Sequence, residues 1–202
     1  MSAAPRLGLF GGTFNPVHNG HLAMARRALD QCALDRLLWI PAGRPPHKPT
    51  PGGASSEDRV RMIGLAIAGE PRFALSRVDL DRDGPSYSID TLTLLAERHP
   101  EVQTWHWLVG QDALADLPGW HRAAELIPRC RWIVAPRAGA TLEAALVPLR
   151  ERYGDRFEVL TDFQMDISSS AVRARIARGD AGAGLVPAAV AHYIQTHSLY
   201  RE

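Results

Sequence analysis

The first 41 residues change period twice, and that change limits the fold more than any other feature of the chain. Arg6 to Phe10 (RLGLF) is a short apolar run that closes on Gly11 and Gly12. From about Asn19 the apolar positions become Leu22, Ala25, Leu29 and Cys32, the spacing of one helical face. Leu37 to Pro41 (LLWIP) is again short and continuously apolar. Strand, helix and strand in so few residues make a βαβ unit, with parallel strands and a right-handed crossover.

The alternation continues downstream. Ser and acidic residues open SSEDRVRMIGLAIAG and Gly69 closes it, which predicts a capped helix. FALSRV, WHWLVG, RWIVAP and FEVL read as strands; SIDTLTLLAERH, WHRAAELI and TLEAALVPLRERYG read as helices, the last having to accommodate Pro148. SSSAVRARIARG and PAAVAHYIQTHSLY add two terminal helices. The pattern predicts an α/β fold, a Rossmann-like doubly wound parallel sheet flanked by helices, with a short C-terminal helical part. With 202 residues and 46% apolar composition, residues 1–202 are expected to form one domain, its C-terminal helical subregion over about 166–202. PAGRPPHKPTPGGAS (41–55) is too rich in proline and glycine for helix or central strand, and a loop of that length is commonly functional.

The 23 basic and 22 acidic residues give a formal charge of +1, too little for a field that would hold a nucleic acid or an acidic membrane. Any anion site is therefore local. Cys32 and Cys130 form neither a disulfide framework nor a CxxC zinc pair, and no apolar run is long enough to span a bilayer. MSAAPRLGLF lacks the apolar core of a signal peptide, so a cytoplasmic location is expected. Arginine supplies 22 of the 23 basic residues, and Lys48 is the one lysine.

GGTFNPVHNGH fills the first strand-to-helix turn, the favoured anion site of an open parallel sheet. It satisfies neither GxGxxG nor GxxxxGK[ST], which argues against a nicotinamide dehydrogenase and a Walker-type NTPase. Gly11 and Gly12 let a ligand lie against the backbone, and Thr13 and Phe14 offer N–H donors. His18 and His21, three apart at the start of a helix, point the same way. Gly20 between them suggests close packing of a flat group against the backbone. A helical zinc pair is usually spaced by four with an acid nearby, so imidazoles aimed at phosphate oxygens are the better reading.

These stretches resemble the nucleotidylyltransferase superfamily with its (H/T)xGH motif, specifically the bacterial nicotinate mononucleotide adenylyltransferases. PPHKP (45–49), PSYSIDTL (85–92), VGQDALADLPGWH (109–121), ISSSAVR (167–173) and the ending LVPAAVAHYIQTHSLY extend the likeness through nearly the whole chain. The resemblance implies an enzyme of NAD biosynthesis that joins nicotinate mononucleotide and ATP, giving nicotinate adenine dinucleotide and pyrophosphate. It implies catalytic roles for His18, His21, Lys48 and Arg173. ATP contacts would come from Gly11, Gly12, Thr13, Phe14, His18, Gly20, His21, Gly110, Asp112, Ile167, Ser168, Ser169 and Arg173. Mononucleotide contacts would come from Asn15, Lys48, Tyr87, Thr91 and Trp120.

Several alternatives stay open at this point. Trp120 could stack on the pyridine ring or pack in the core, whereas Trp39, Trp105, Trp107 and Trp132 are assigned to packing. Bound phosphates would raise the pKa of the two histidines. Asn15 replaces an aspartate common in the family and so removes a charge near the phosphates, while Ser88 and Ser170 replace frequent threonines. No acidic cluster marks a metal cage, so Mg²⁺ is expected to arrive on the ATP phosphates with waters. A phosphopantetheine or nicotinamide mononucleotide adenylyltransferase and a non-catalytic nucleotide-binding regulator are the alternatives, and the sequence leaves the oligomeric state open.

Overall fold

The computed structural model describes residues 4–45, 53–137, 142–163, 166–180, 182 and 184–201. The first half of the chain forms β1 (Leu7–Gly12), α1 (Asn19–Gln31), β2 (Arg36–Pro41), α2 (Ser56–Ile67), β3 (Phe73–Leu75), α3 (Ser88–Arg98) and β4 (Trp105–Gly110). The second half forms α4 (Gln111–Asp116), α5 (Ala123–Leu126), β5 (Cys130–Ala135), α6 (Glu143–Tyr153), β6 (Phe157–Val159), α7 (Ser169–Ala177) and α8 (Ala188–Thr196).

The six strands form one sheet in the order β3-β2-β1-β4-β5-β6, and every neighbouring pair is parallel. The chain builds outward from β1 to β3, then returns to lay β4 on the other side of β1. Connections leave β1 and β4 in opposite directions, which opens a crevice at the carboxyl ends of these two strands.

Side-chain alternation along the strands sends one core to each face of the sheet. Phe10, Trp39, Leu108 and Ile133 pack with Leu29, Met62, Val172, Val190 and Tyr200, so α1, α2, α7, α8 and the chain's end cover one face. Leu9, Ile40, Trp107 and Trp132 pack with Leu92, Leu114, Leu126 and Leu149 on the other, under α3 to α6. Among the described residues no helix is long and apolar enough to cross a membrane.

Four elements depart from the sequence expectation. β1 runs on through Gly11 and Gly12, which pair with Ile40 and Pro41. β3 stops at Leu75, and the chain then turns so that the Asp79 carbonyl lies where a Cβ on Gly43 would sit; glycine is required there. Gln111–Asp116 is a helix that its length of 6 residues hid, because so short a segment shows no period. The helix expected over WHRAAELI shrinks to 4 residues, since Arg122 takes a left-handed backbone (φ 52°, ψ 39°) and Pro128 imposes a 3-10 turn after it. α6 keeps Pro148 in its interior, losing the bond that residue would donate to Ala144.

Candidate active site

Residues 13 to 18 carry the chain from β1 to α1 across the sheet's carboxyl edge, and side chains from three distant segments hold this turn. Arg59 Nη1 of α2 donates to the Thr13 carbonyl at 2.8 Å, and Arg173 Nη1 of α7 donates to the Asn15 carbonyl at 2.7 Å. Ser169 Oγ donates to the Pro16 carbonyl at 2.9 Å. The Tyr200 hydroxyl donates to Asn15 Oδ1 at 2.5 Å. Phe14 takes a left-handed backbone (φ 49°), and its buried ring packs edge-on against Phe10 and His21. A trans peptide points its N–H opposite to its carbonyl, so anchoring Thr13 O on Arg59 turns the Phe14 N–H away from that side.

The histidines cap the start of α1 reciprocally. His18 Nδ1 accepts the His21 backbone N–H at 3.3 Å, and His21 Nδ1 accepts the His18 backbone N–H at 3.2 Å. Each Nδ1 therefore carries no proton, and the neutral ring has its N–H at Nε2. The rings stack with centroids 3.6 Å apart and planes 22° from parallel. Burial pulls the His18 pKa down to about 4. For His21, burial and then the neighbouring His18 push the pKa well below the ordinary imidazole value. In the free protein the direction is thus opposite to the one expected with phosphates bound: both imidazoles are neutral donors. Gly20 is buried in the first turn of α1, between them.

Both rings line a crevice of about 490 Å³, together with Thr13, Phe14, Asn15, Gly110, Asp112 and the start of α7. Ser168 is the N-cap of α7, its Oγ accepting the Ala171 N–H at 3.2 Å, and Ile167, Ser169, Ser170 and Arg173 complete that wall. Asp112, in the first turn of α4, forms an exposed ion pair with Arg137 at 2.6 Å. Gln111 Oε1 accepts the Arg137 backbone N–H, joining the ends of β4 and β5.

A second cavity of about 350 Å³ adjoins it, and Thr13, Asp112 and Ala113 line both. Gly11, Gly12, Tyr87, Trp107, Trp120 and His121 give this second lobe an aromatic lining against bare backbone. A Cβ on Gly11 would meet only Trp107, at an ordinary 3.7 Å, so packing does not exclude a side chain there; a side chain would instead crowd the lobe. Tyr87 stacks on His121 at 4.0 Å. Half-buried Trp120 meets Trp107 and Trp132 edge-on, combining both readings of its role: one side in the core and the other on the cavity. The Thr91 hydroxyl donates to Asp79 Oδ1 at 2.7 Å, and Arg82 Nε donates to the same oxygen at 3.1 Å. Burial raises the Asp79 carboxyl pKa despite these donors. Ser86 Oγ accepts the N–H groups of Gly43 and Arg44, fixing the loop that leaves β2.

The sequence-predicted residues fall on one double cavity with four exceptions or qualifications, the first being Gly20, which is buried in α1 and lines neither lobe. Asn15, expected beside the mononucleotide, lines the histidine lobe. Thr91 has its hydroxyl engaged by Asp79. Lys48 lies outside the described residues. Sequence reasoning missed Arg59, Asp79, Ser86 and Arg137, and assigned Trp107 to packing alone; His121 stood unread inside the GWH stretch.

The sequence matches the cytidylyltransferase-like family model over residues 9–175. A protein of Gloeobacter violaceus named probable nicotinate-nucleotide adenylyltransferase is 62% identical over 198 residues, covering 96% of each chain. The chain belongs to the nicotinate-nucleotide adenylyltransferase family. A second member of this family, from Synechococcus sp. (strain JA-3-3Ab) and with the same name, is 48% identical over 196 residues, covering 96% of this chain and 94% of its own. The fold is also that of the Plasmodium falciparum nicotinic acid mononucleotide adenylyltransferase solved in complex with NaAD, with a TM-score of 0.80 at 17% identity over 97% of both chains. In this chain the stretch His18–His21 is the reciprocal cap described above.

Proposed function

We propose that the protein is a nicotinate-nucleotide adenylyltransferase, joining ATP and nicotinate mononucleotide into nicotinate adenine dinucleotide with release of pyrophosphate. The carrying observation is the shared wall: Thr13, Asp112 and Ala113 line both lobes, so a ligand in the aromatic lobe abuts one in the histidine lobe. An oxygen of the mononucleotide 5'-phosphate attacks the α-phosphorus of ATP, and the bond from that phosphorus to the pyrophosphate oxygen breaks. No protein nucleophile is needed.

Charge is the obstacle. Two unit negative charges about 4 Å apart repel by roughly 4 kcal/mol at an effective dielectric near 20, and several such pairs meet here. The reading assigns His18 and His21 to donate Nε2–H to the phosphates at the reacting centre, with no proton to remove. Arg173 and the N-terminus of α7, with Ile167, Ser168 and Ser169, receive the β- and γ-phosphates. Ser168 Oγ accepts within its cap and keeps its O–H to donate; Ser169 is engaged by Pro16, so its share is its backbone N–H. Gly11, Gly12, Thr13 and Phe14 supply backbone contacts, while Gly110 and Asp112 reach a ribose. Trp120 and Tyr87 hold the pyridine ring, Thr91 acts through Asp79, Asn15 shapes the turn, and Lys48 is the cation assigned to the phosphates.

Among the described residues no group of three His, Cys, Asp or Glu could hold a metal, so the donors do not fit a protein-built Mg²⁺ cage. The ion enters as part of the ATP substrate, and no step is routed through a protein-held ion. The buried free thiols of Cys32 and Cys130 fit a reducing cytoplasm.

The test supplies the protein with ATP, Mg²⁺ and, in separate reactions, nicotinate mononucleotide, nicotinamide mononucleotide or phosphopantetheine, and identifies products by mass. Nicotinate adenine dinucleotide with equimolar pyrophosphate is expected. Preferential turnover of phosphopantetheine, or ATP binding without pyrophosphate release, overturns the reading.

A further inference from the structure

Arg59 is 1% exposed, the most deeply buried charged side chain among the described residues. Among the described residues its guanidinium makes two hydrogen bonds, Nη1 to the Thr13 carbonyl at 2.8 Å and Nη2 to Ser56 Oγ at 3.1 Å, and Nε has no partner. Among the described residues no carboxylate pairs with it, whereas Arg72, Arg77, Arg82, Arg122 and Arg175 each pair with an acid. The neighbouring ionisable group is the Tyr200 phenol, itself buried and held neutral by that burial.

A guanidinium does not shed its proton inside a protein, and an isolated buried charge is strongly unfavourable. A purely structural donor to Thr13 would not need to be charged. The position of the charge supplies the reason: Thr13 belongs to the wall common to both lobes, so one peptide group separates Arg59 from the place where phosphates would gather. Low dielectric between them lets the attraction act at that range.

We propose that Arg59 is a positioning residue for adenylyl transfer: a buried cation with no carboxylate partner among the described residues, whose counter-charge is the phosphates of the bound substrates. It acts through the Thr13–Phe14 peptide, fixing and polarising it so that the Phe14 N–H serves as a donor to the substrate anion. This rests on the function proposed above. It also implies that anion binding is stronger than the groups touching the anion would provide.

The test measures pyrophosphate affinity by calorimetry for wild type, Arg59→Met and Arg59→Lys, with folding checked by circular dichroism and kcat/KM measured in parallel. Arg59→Met removes the charge at similar length and is expected to bind pyrophosphate about tenfold more weakly, with a comparable fall in kcat/KM. Arg59→Lys retains the charge and is expected to stay within about threefold of wild type. Unchanged affinity in Arg59→Met, or an equal loss in Arg59→Lys, overturns the proposal. Should Arg59→Met not fold, Arg59→Lys decides alone: near-wild-type affinity supports the charge role and a tenfold loss overturns it. A wild type that binds pyrophosphate yet forms no dinucleotide overturns the proposed function and leaves the Arg59 comparison readable.

Discussion

Ser169 Oγ and the Pro16 carbonyl, 153 positions apart in sequence, are joined by a hydrogen bond of 2.9 Å. The bond ties the first turn of α7 to the strand-to-helix turn that carries the histidines, so the two halves of the proposed phosphate site hold one geometry. Ser169→Ala leaves Pro16 O without this donor and is expected to lower stability by about 1 kcal/mol in urea denaturation. The larger effect should be kinetic: kcat/KM for ATP falls about tenfold as α7 loosens against the turn, while the KM for nicotinate mononucleotide moves little. A stability loss with unchanged kinetics would mean that the tie is only structural.

The reciprocally capped histidines, His18 buried and His21 half-buried, imply a pH dependence of folding. The folded-state pKa of His18 is depressed from 6.5 to about 4, so the native state resists a proton that the unfolded chain accepts. Above pH 6.5 this group costs nothing. As pH falls from 6.5 toward 4 the unfolded state gains protons first and stability declines, by about 3 kcal/mol for His18 alone at the lower limit. His21, shifted in the same direction, adds to the decline. Unfolding free energies at pH 7.5 and about pH 5 should therefore differ more in wild type than in His18→Asn, which keeps an acceptor for the cap but does not titrate. Equal pH slopes in the two proteins would contradict the assignment.

The elements that were legible in the sequence are those whose stabilisation is local. LLWIP reads as a strand because a parallel strand buried on both faces must be apolar at every position. Ser55 and Asp58 form the capping box that starts α2, a signal carried by residues three apart. The site was legible only where one segment brings its own parts together: the spacing of His18 and His21 placed the rings side by side, but a cap made from two imidazoles lies outside the usual preference for Ser, Thr, Asp and Asn. Asp79 and Thr91 lie 12 apart and meet only through the turn after β3, so no local pattern marks the pair. Arg59 sits in a charged run with Asp58 and Arg61, yet it shares the helical face of Met62 and Ile63, both fully buried. That spacing was the one available sign that this arginine points inward.

Trp120 has its packing partners on one side and the aromatic lobe on the other. Trp120→Phe keeps a ring against Trp107 and Trp132 and should leave the fold intact. Replacing an indole face by a smaller ring weakens stacking, so the KM for nicotinate mononucleotide should rise several-fold, and about tenfold in Trp120→Ala, with the KM for ATP little changed. Initial rates with each substrate varied separately provide the check. An increase confined to the ATP KM would reverse the assignment of the two lobes.

Asp112 separates binding from stability most cleanly, because its side chain is 73% exposed and its ion-pair partner among the described residues, Arg137, is 52% exposed. Exposed pairs of this kind contribute between nothing and about 1 kcal/mol, so Asp112→Ala should melt close to wild type. A carboxylate that accepts hydrogen bonds from ribose hydroxyls does more once a ligand covers it and excludes water, since its removal then leaves those hydroxyls unpaired. The loss expected is about 1 to 3 kcal/mol of transition-state binding, a fall in kcat/KM of roughly tenfold to a hundredfold. Asp112→Asn loses the ion pair with Arg137 but keeps a side-chain oxygen that can accept from a ribose hydroxyl, so it serves as the control. If the two variants lose activity equally, the charge and its ion pair matter rather than the acceptor oxygen; if Asp112→Ala alone loses it, that oxygen acts on the ligand directly.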